Sequence, residues 1–344
     1  MADSIFSLSE RDRAAFFQAA AGRVGRNAIL LEKDVWVVWA LRTLFEDPIG
    51  AHLVFKGGTS LSKAHRLIER FSEDLDLTYD IRELAGDMLP KGPAGEPLDL
   101  PKTQSQARKI TDEIRKERLP KWVKDTVAPV VEARLAKDGA KASIEISGCD
   151  LSIRYAETDH GHVKSAVLLE FGARSTGEPA NLHDIICDSA AAGLGIDLPT
   201  AKARVMKAER TFWEKATAVH VFCRSSDPVG DHKARHWYDL ERLDAKGIAA
   251  ASIADGDLAG QVASQKSLFF REKDSAGAWI DYHDAVRGKL QLVPVGAHLT
   301  ELATDYGAMQ SDGLLPEDAL SFAKLMERCG EIESKTNAAT TPAE

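Results

Sequence analysis

The stretch Phe55-Lys56-Gly57-Gly58-Thr59-Ser60, followed fifteen residues after Thr59 by Asp74-Leu75-Asp76-Leu77, decides how this chain is read. Two carboxylates two positions apart on an extended strand point to one face, because strand side chains alternate with period two. Hard oxygen donors on one face suit Mg²⁺ or Mn²⁺. Mg²⁺ in particular takes one or two carboxylates and completes its octahedron with water and substrate phosphates. Glycines let the backbone approach a phosphate, and the N–H groups of such a turn form an anion-binding concavity. Asp74 and Asp76 are therefore the candidate metal ligands. Gly57, Gly58, Thr59, Ser60 and Lys63, with Arg70 and Ser72 just ahead of the acidic pair, are the candidates for holding a nucleotide. No Gly-Lys-Ser/Thr ending is present, which excludes a Walker A loop. Taken singly, Gly-Gly is a turn and Asp-Leu-Asp a surface strand. Together they are the phosphate cradle and metal clamp that phosphoryl and nucleotidyl transfer require.

Outward from this stretch, His52–Phe55 reads as a strand entering the turn, Leu61–Phe71 as a helix, and Leu75–Tyr79 as a strand with the aspartates at its start. The first forty-five residues read as helices, with Leu31, Val35, Val38 and Trp39 at helical spacing and breakers over Phe45–Gly50. A Gly- and Pro-rich loop spans Asp87–Pro101, and residues 103–137 resemble two amphipathic helices. Ser143–Ile146, Leu151–Tyr155 and Ser165–Phe171 are strand-like, with turns at Gly148 and Gly161. Beyond 191–200 the periodicity is helical through Phe322–Arg328. Thr336–Glu344 is small and polar, as a disordered tail would be. The domains expected are 1–200, with a helical insertion at about 85–140, then 201–335, then the tail at 336–344.

The 344 residues carry a net charge of −9, which argues against broad nonspecific nucleic-acid binding. The charge is uneven: residues 102–141 hold eleven Lys/Arg against six Asp/Glu, and residues 301–344 hold three against nine. Arg108, Lys109, Arg115, Lys116, Arg118, Lys121 and Lys124 form either a phosphate-contacting patch or a solvated helix face. Cys149, Cys187, Cys223 and Cys329 have no metal spacing and are expected to be reduced thiols. No apolar run approaches the ~20 residues a membrane span needs, and Met-Ala-Asp-Ser-Ile-Phe-Ser lacks the pattern of a secretory leader. A cytoplasmic protein without membrane partners is expected.

A second group of residues lies further along. Glu170, in the apolar run Val167-Leu168-Leu169-Glu170-Phe171, is costly to bury alone. Read locally, it is an outward-facing or Arg174-paired glutamate. Thr211 to Glu214 has the form of a capping box, which places Lys215 near a helix start, where the dipole disfavours a cation unless an anion is near. Asp239, within Arg235-His236-Trp237-Tyr238-Asp239-Leu240, reads locally as a solvated or Arg-paired acid.

The Gly-Gly/Ser turn ahead of Asp-x-Asp looks like the signature of the DNA polymerase beta superfamily. With Glu32-Lys33-Asp34, Arg70-Phe71-Ser72-Glu73-Asp74-Leu75-Asp76, Arg210-Thr211-Phe212-Trp213-Glu214-Lys215 and Tyr238-Asp239-Leu240, the chain resembles the AbiEii/AbiGii-type toxin nucleotidyltransferases from about residue 30 to about 245. The resemblance implies an α+β fold: a polymerase-beta-like core with a mixed β-sheet, a helical insertion and a helical C-terminal domain. It implies catalytic roles for Asp74, Asp76, Lys215, Asp239 and Glu170, with metal at Asp74, Asp76 and Glu170, and supporting roles for Glu32, Lys33, Asp34, Arg210 and Glu214. It further implies a Mg²⁺- or Mn²⁺-dependent enzyme that moves a nucleotide from an NTP to an acceptor, RNA such as tRNA, as the toxin of a toxin–antitoxin or phage-defence pair with a cognate antitoxin. The alternatives are a noncatalytic nucleotide-binding or protein-interaction module, and nucleotidylation of a protein acceptor.

Overall fold

The first elements form where local chemistry starts and stops them. Helix α1 (Glu10–Val24) begins at Ser9, which accepts the Asp12 N–H, and ends at Gly25 in the left-handed conformation. Helix α2 (Ala28–Glu46) begins at Asn27 and is stopped by Asp47-Pro48. Residues 31–41 are buried on every side of α2. It is a central helix of the core rather than an amphipathic one.

The computed structural model describes residues 4–70, 72, 74–156, 165–225 and 233–340. They divide into two compact units. The first comprises residues through Ala64, Ser72–Asp99 and Lys109–Met206; the second comprises His65–Phe71, Leu100–Arg108 and Lys207–Glu344.

The first unit is built on one mixed seven-stranded sheet of order β3-β4-β5-β2-β1-β7-β6. Its strands are β1 (Leu53–Lys56), β2 (Leu75–Tyr79), β3 (Ala142–Ser147), β4 (Asp150–Tyr155), β5 (Ala166–Gly172), β6 (Ala180–Ile186) and β7 (Thr200–Met206). β2 lies at the centre, antiparallel to β1 and parallel to β5, with Lys56 and Glu170 each opposite Asp76. Helices α3 (Gly57–Lys63) and α4 (Ile81–Ala85) follow β1 and β2 directly.

The structure departs from the sequence expectation in four places. The helix expected over Leu61–Phe71 begins at Gly57 and ends at Lys63. The two helices expected over 103–137 are one continuous helical run: α5 (Gln104–Glu113), α6 (Leu119–Trp122) and α7 (Ala128–Asp138), joined by π-turns at Ile114–Arg118 and Val123–Val127. Pro120 and Pro129 lack the N–H that an α-helical ladder needs, and wider π-turns lie beside both. Residues 200–206 are strand β7, not helix, and β6 precedes it unannounced. Ala201, Ala203 and Val205 face inward against Thr200 and Lys202 outside, a period-two pattern that alanine makes easy to misread. Lastly, residues 336–340 are not a disordered tail but the end of a helix, with Thr336 buried and Asn337 hydrogen-bonded at both its amide atoms to Leu290. The rest of that tail, residues 341–344, lies outside the described residues, as does the turn placed at Gly161.

The second unit is helical: α8 (Ala208–Arg224), α9 (Arg235–Ala245), α10 (Ile248–Ala254), α11 (Gly256–Phe269), α12 (Tyr282–Ala285), α13 (Ala297–Ser311) and α14 (Phe322–Thr340). Trp213 and Trp237 are fully buried in it, and each indole N–H donates to a backbone carbonyl, Ser252 and Leu292. Among the described residues no helix is long and apolar enough to cross a membrane, and all four cysteines are free thiols.

Candidate functional site

Two contacts join the glycine turn to the acidic pair, and two more hold the turn itself in place. Gly57 has φ +74°, and its missing Cβ would stand 1.9 Å from Asp76 Oδ2. The Asp76 carboxylate therefore lies directly over the Gly57 backbone. The Thr59 hydroxyl donates to the Asp74 carbonyl at 2.6 Å and shares a hydrogen bond with Ser72 Oγ at 2.8 Å. The Ser60 hydroxyl donates to the Gly57 carbonyl at 2.9 Å. Thr59 and Ser60 are buried, and these hydroxyl bonds hold the turn in shape. Asp76 is the second residue of β2, and Asp74 stands one residue ahead of it. Phe71 and Glu73, also part of the quoted motif, lie outside the described residues.

Glu170 stands beside Asp76 in register and is exposed, and Asp150 of β4 stands beside Glu170 in turn. Among the described residues no three His, Cys, Asp or Glu side chains are gathered so as to hold a metal ion. The candidate donors are the carboxylates of Asp74 and Asp76, with Glu170 opposite Asp76 across the sheet, rather than a closed protein cage. That fits Mg²⁺, which takes one or two carboxylates and leaves the rest of its shell to phosphates and water. It does not fit structural zinc.

Lys63, expected at the phosphates, is engaged within the protein. Its ammonium contacts the carboxylates of Asp34 and, at 2.6 Å, Asp188, while the Asp188 N–H donates to Asp34 Oδ2 at 2.6 Å. Burial alone would lower the Lys63 pKa, but the two carboxylates outweigh it and hold the ammonium charged. Asp188 was invisible in the sequence, since nothing in residues 187–192 has a period or motif. Glu32 pairs with Arg13 at 3.2 Å, and Lys33 is buried on the same helix. The Glu32-Lys33-Asp34 motif thus sits inside the core of the first unit.

In the second unit Asp239 is fully buried. Arg70 grips it with both arms of its guanidinium, Nε–Oδ1 2.6 Å and Nη2–Oδ2 2.8 Å, and Lys215 Nζ reaches Oδ2 at 2.8 Å. Burial would raise the carboxyl pKa, yet the charges and hydrogen bonds of Arg70 and Lys215 hold it well below the ordinary range. The Arg-paired reading of Asp239 therefore holds. Arg70, expected at the nucleotide, faces this carboxylate instead. The capping box is also corrected: α8 begins at Ala208, so Thr211 lies inside the helix, its hydroxyl donating to the Lys207 carbonyl, and Arg210 pairs with Glu214 at 3.2 Å. Lys215 is a buried mid-helix cation, 7% exposed, rather than a residue of the first turn.

A family model described as "Nucleotidyl transferase AbiEii toxin, Type IV TA system" matches residues 39–328. No curated protein matches the sequence. Among solved structures, the nucleotidyltransferase toxin MenT4 of Mycobacterium tuberculosis is similar, with 18% identity, 98% of this chain and 91% of that chain covered, and a TM-score of 0.44. With the family model spanning most of its length, the chain belongs to the AbiEii nucleotidyltransferase toxins of type IV toxin–antitoxin systems.

Proposed function

We propose that this chain moves a nucleotide from an NTP to a hydroxyl of an RNA acceptor, tRNA being the class the family resemblance suggests, and that this transfer is its toxic act in the cytoplasm. The observation that carries the proposal is the coupling of the glycine turn to the acidic pair, through Gly57 against Asp76 and Thr59 on Asp74. In the reaction the acceptor oxygen bonds to the α-phosphorus, the bond to the β-bridging oxygen breaks, and pyrophosphate leaves as the hydroxyl proton is lost. Asp74 and Asp76 would hold Mg²⁺ or Mn²⁺, which when bound neutralises phosphate charge. Glu170, next to Asp76 across the sheet, would serve the acceptor side.

Such transfer depends on positioning and electrostatics rather than covalent chemistry by the protein. Asp239 would act as a positioning residue that fixes the charge and place of Lys215. The growth-restoring partner would be a cognate antitoxin, and defence against phage is one setting for the pair. Incubation with each α-labelled NTP, Mg²⁺, and total RNA or cell protein tests the reading. RNA should be labelled, chelator should abolish labelling, and Asp76→Asn should lose it while the fold survives. Labelling by Asp76→Asn at the unmodified rate would defeat the metal assignment.

A further inference from the structure

Tryptophans 36, 39, 213 and 237 are fully buried, whereas Trp279 is 51% exposed. It stands in a hairpin between α11 and α12 that no motif of the sequence singled out. Lys273 bridges to Trp279, the Asp274 N–H donates to the Ala278 carbonyl at 2.8 Å, and the Ile280 N–H to the Glu272 carbonyl at 3.0 Å. Asp274 Oδ1 accepts the Ala276 and Ala278 N–H groups at 3.0 and 2.9 Å, and Gly277 takes the positive φ the turn needs. The loop is thus internally built, with one of its acids spent on its own turn. Tyr282 pins its base by donating to the Phe270 carbonyl.

Two cations lie on the indole: the Arg271 guanidinium 3.9 Å and the Lys273 ammonium 5.1 Å from the ring centroid. Period-two alternation puts Arg271 and Lys273 on one side and Glu272 on the other. Lys266 adds a third cation at the base of the hairpin, 4.7 Å from the Phe270 ring.

A half-exposed indole flanked by cations is what single-stranded nucleic acid uses: the ring takes a base face, and the cations take phosphates or stack on the base themselves. The hairpin is tied to the helix that carries Lys215. The Ser275 N–H donates to the Arg224 carbonyl at 2.9 Å, and Arg224 approaches Asp274 at 3.8 Å. Lys215 and Arg224 are nine residues apart on α8, about 14 Å along its axis.

We propose that the hairpin of residues 271–280 is a stacking platform for single-stranded RNA, holding the acceptor by one unpaired base on Trp279 and by phosphates on Arg271 and Lys273. This rests on the RNA-acceptor reading above. The test measures acceptor KM and NTP KM in labelled-nucleotide transfer, and separately the affinity for a fluorescent single-stranded oligoribonucleotide. Base stacking is worth about 1–3 kcal/mol per base, so Trp279→Ala should raise the RNA KM and weaken oligoribonucleotide binding by roughly 5- to 150-fold, with NTP KM unchanged. Trp279→Phe should recover most of both. The double variant Arg271→Ala/Lys273→Ala should flatten the salt dependence by about 0.7 log–log units for each phosphate it no longer neutralises.

RNA labelled by all variants with the unmodified acceptor KM would overturn the platform and leave the RNA reading intact. Label entering protein alone, with no oligoribonucleotide bound by the unmodified chain, would overturn both.

Discussion

Gly57 and Asp239 are the two positions where a single atom decides most. At Gly57 a methyl group has no room, because the Asp76 carboxylate occupies its place, and φ +74° is strained for any other residue. Gly57→Ala should cost about 1–2 kcal/mol in backbone strain, and should remove most label transfer because Asp76 must move. Urea unfolding alongside the transfer assay separates the two effects; full activity would show that the close approach has no function. Asp239 carries the opposite risk. Breaking a buried, bonded ion pair costs about 3–5 kcal/mol, so Asp239→Asn should lower the urea midpoint markedly. The folded pKa of Asp239 is depressed, so its stabilisation is present above the unfolded value of about 3.9 and fades as pH falls below it. Unmodified protein should lose stability as pH drops below about 4, and Asp239→Asn should show a shallower loss there. A midpoint unchanged in the variant would mean that the Arg70–Asp239–Lys215 cluster is not formed.

Between elements, Lys63 is the discriminating residue. It ends α3 and carries its charge to Asp34 on α2 and Asp188 beyond β6, fastening three segments of the first unit. A lysine serving a triphosphate from solvent would change the NTP KM and leave stability alone, since surface substitutions stay within ~0.5 kcal/mol. Lys63→Met instead removes the counter-charge of a buried Asp34, so the urea midpoint should fall by the equivalent of about 3 kcal/mol. Normal stability with a raised NTP KM would restore the phosphate role. The same logic applies to Lys215, which is buried on Asp239 rather than set at the surface. Its removal is expected to cost stability as well as activity.

For the whole molecule, the acid-rich balance concentrates any RNA affinity in local patches. The basic stretch of 102–141 is less free than its composition suggests: Arg118 is held by Asp87 and Glu113, Lys116 by Asp112 and Lys121 by Asp125. Arg115, Lys116 and Lys124 are nevertheless exposed. Reversing those three charges should raise the acceptor KM and reduce its salt slope by about 0.7 for each phosphate no longer neutralised, with NTP KM steady. No change in any of these would make the stretch a solvated face. By itself the sequence determined the family, the strand–helix–strand core, and the pairing of a glycine turn with Asp74 and Asp76, because those depend on local period, on glycine's freedom and on spacing along one chain. It missed β6 and β7, since short alanine-containing strands imitate helices, and it assigned Lys63, Arg70, Thr59 and Lys215 to the nucleotide without naming the partners they have inside the protein. Only the tertiary structure decided where those cations and hydroxyls go. Lys63 and Arg70 find Asp188 and Asp239 at 125 and 169 residues along the chain, and Thr59 finds the Asp74 carbonyl at 15. An ion pair or hydrogen bond forms by distance in space, which no periodicity along the chain records.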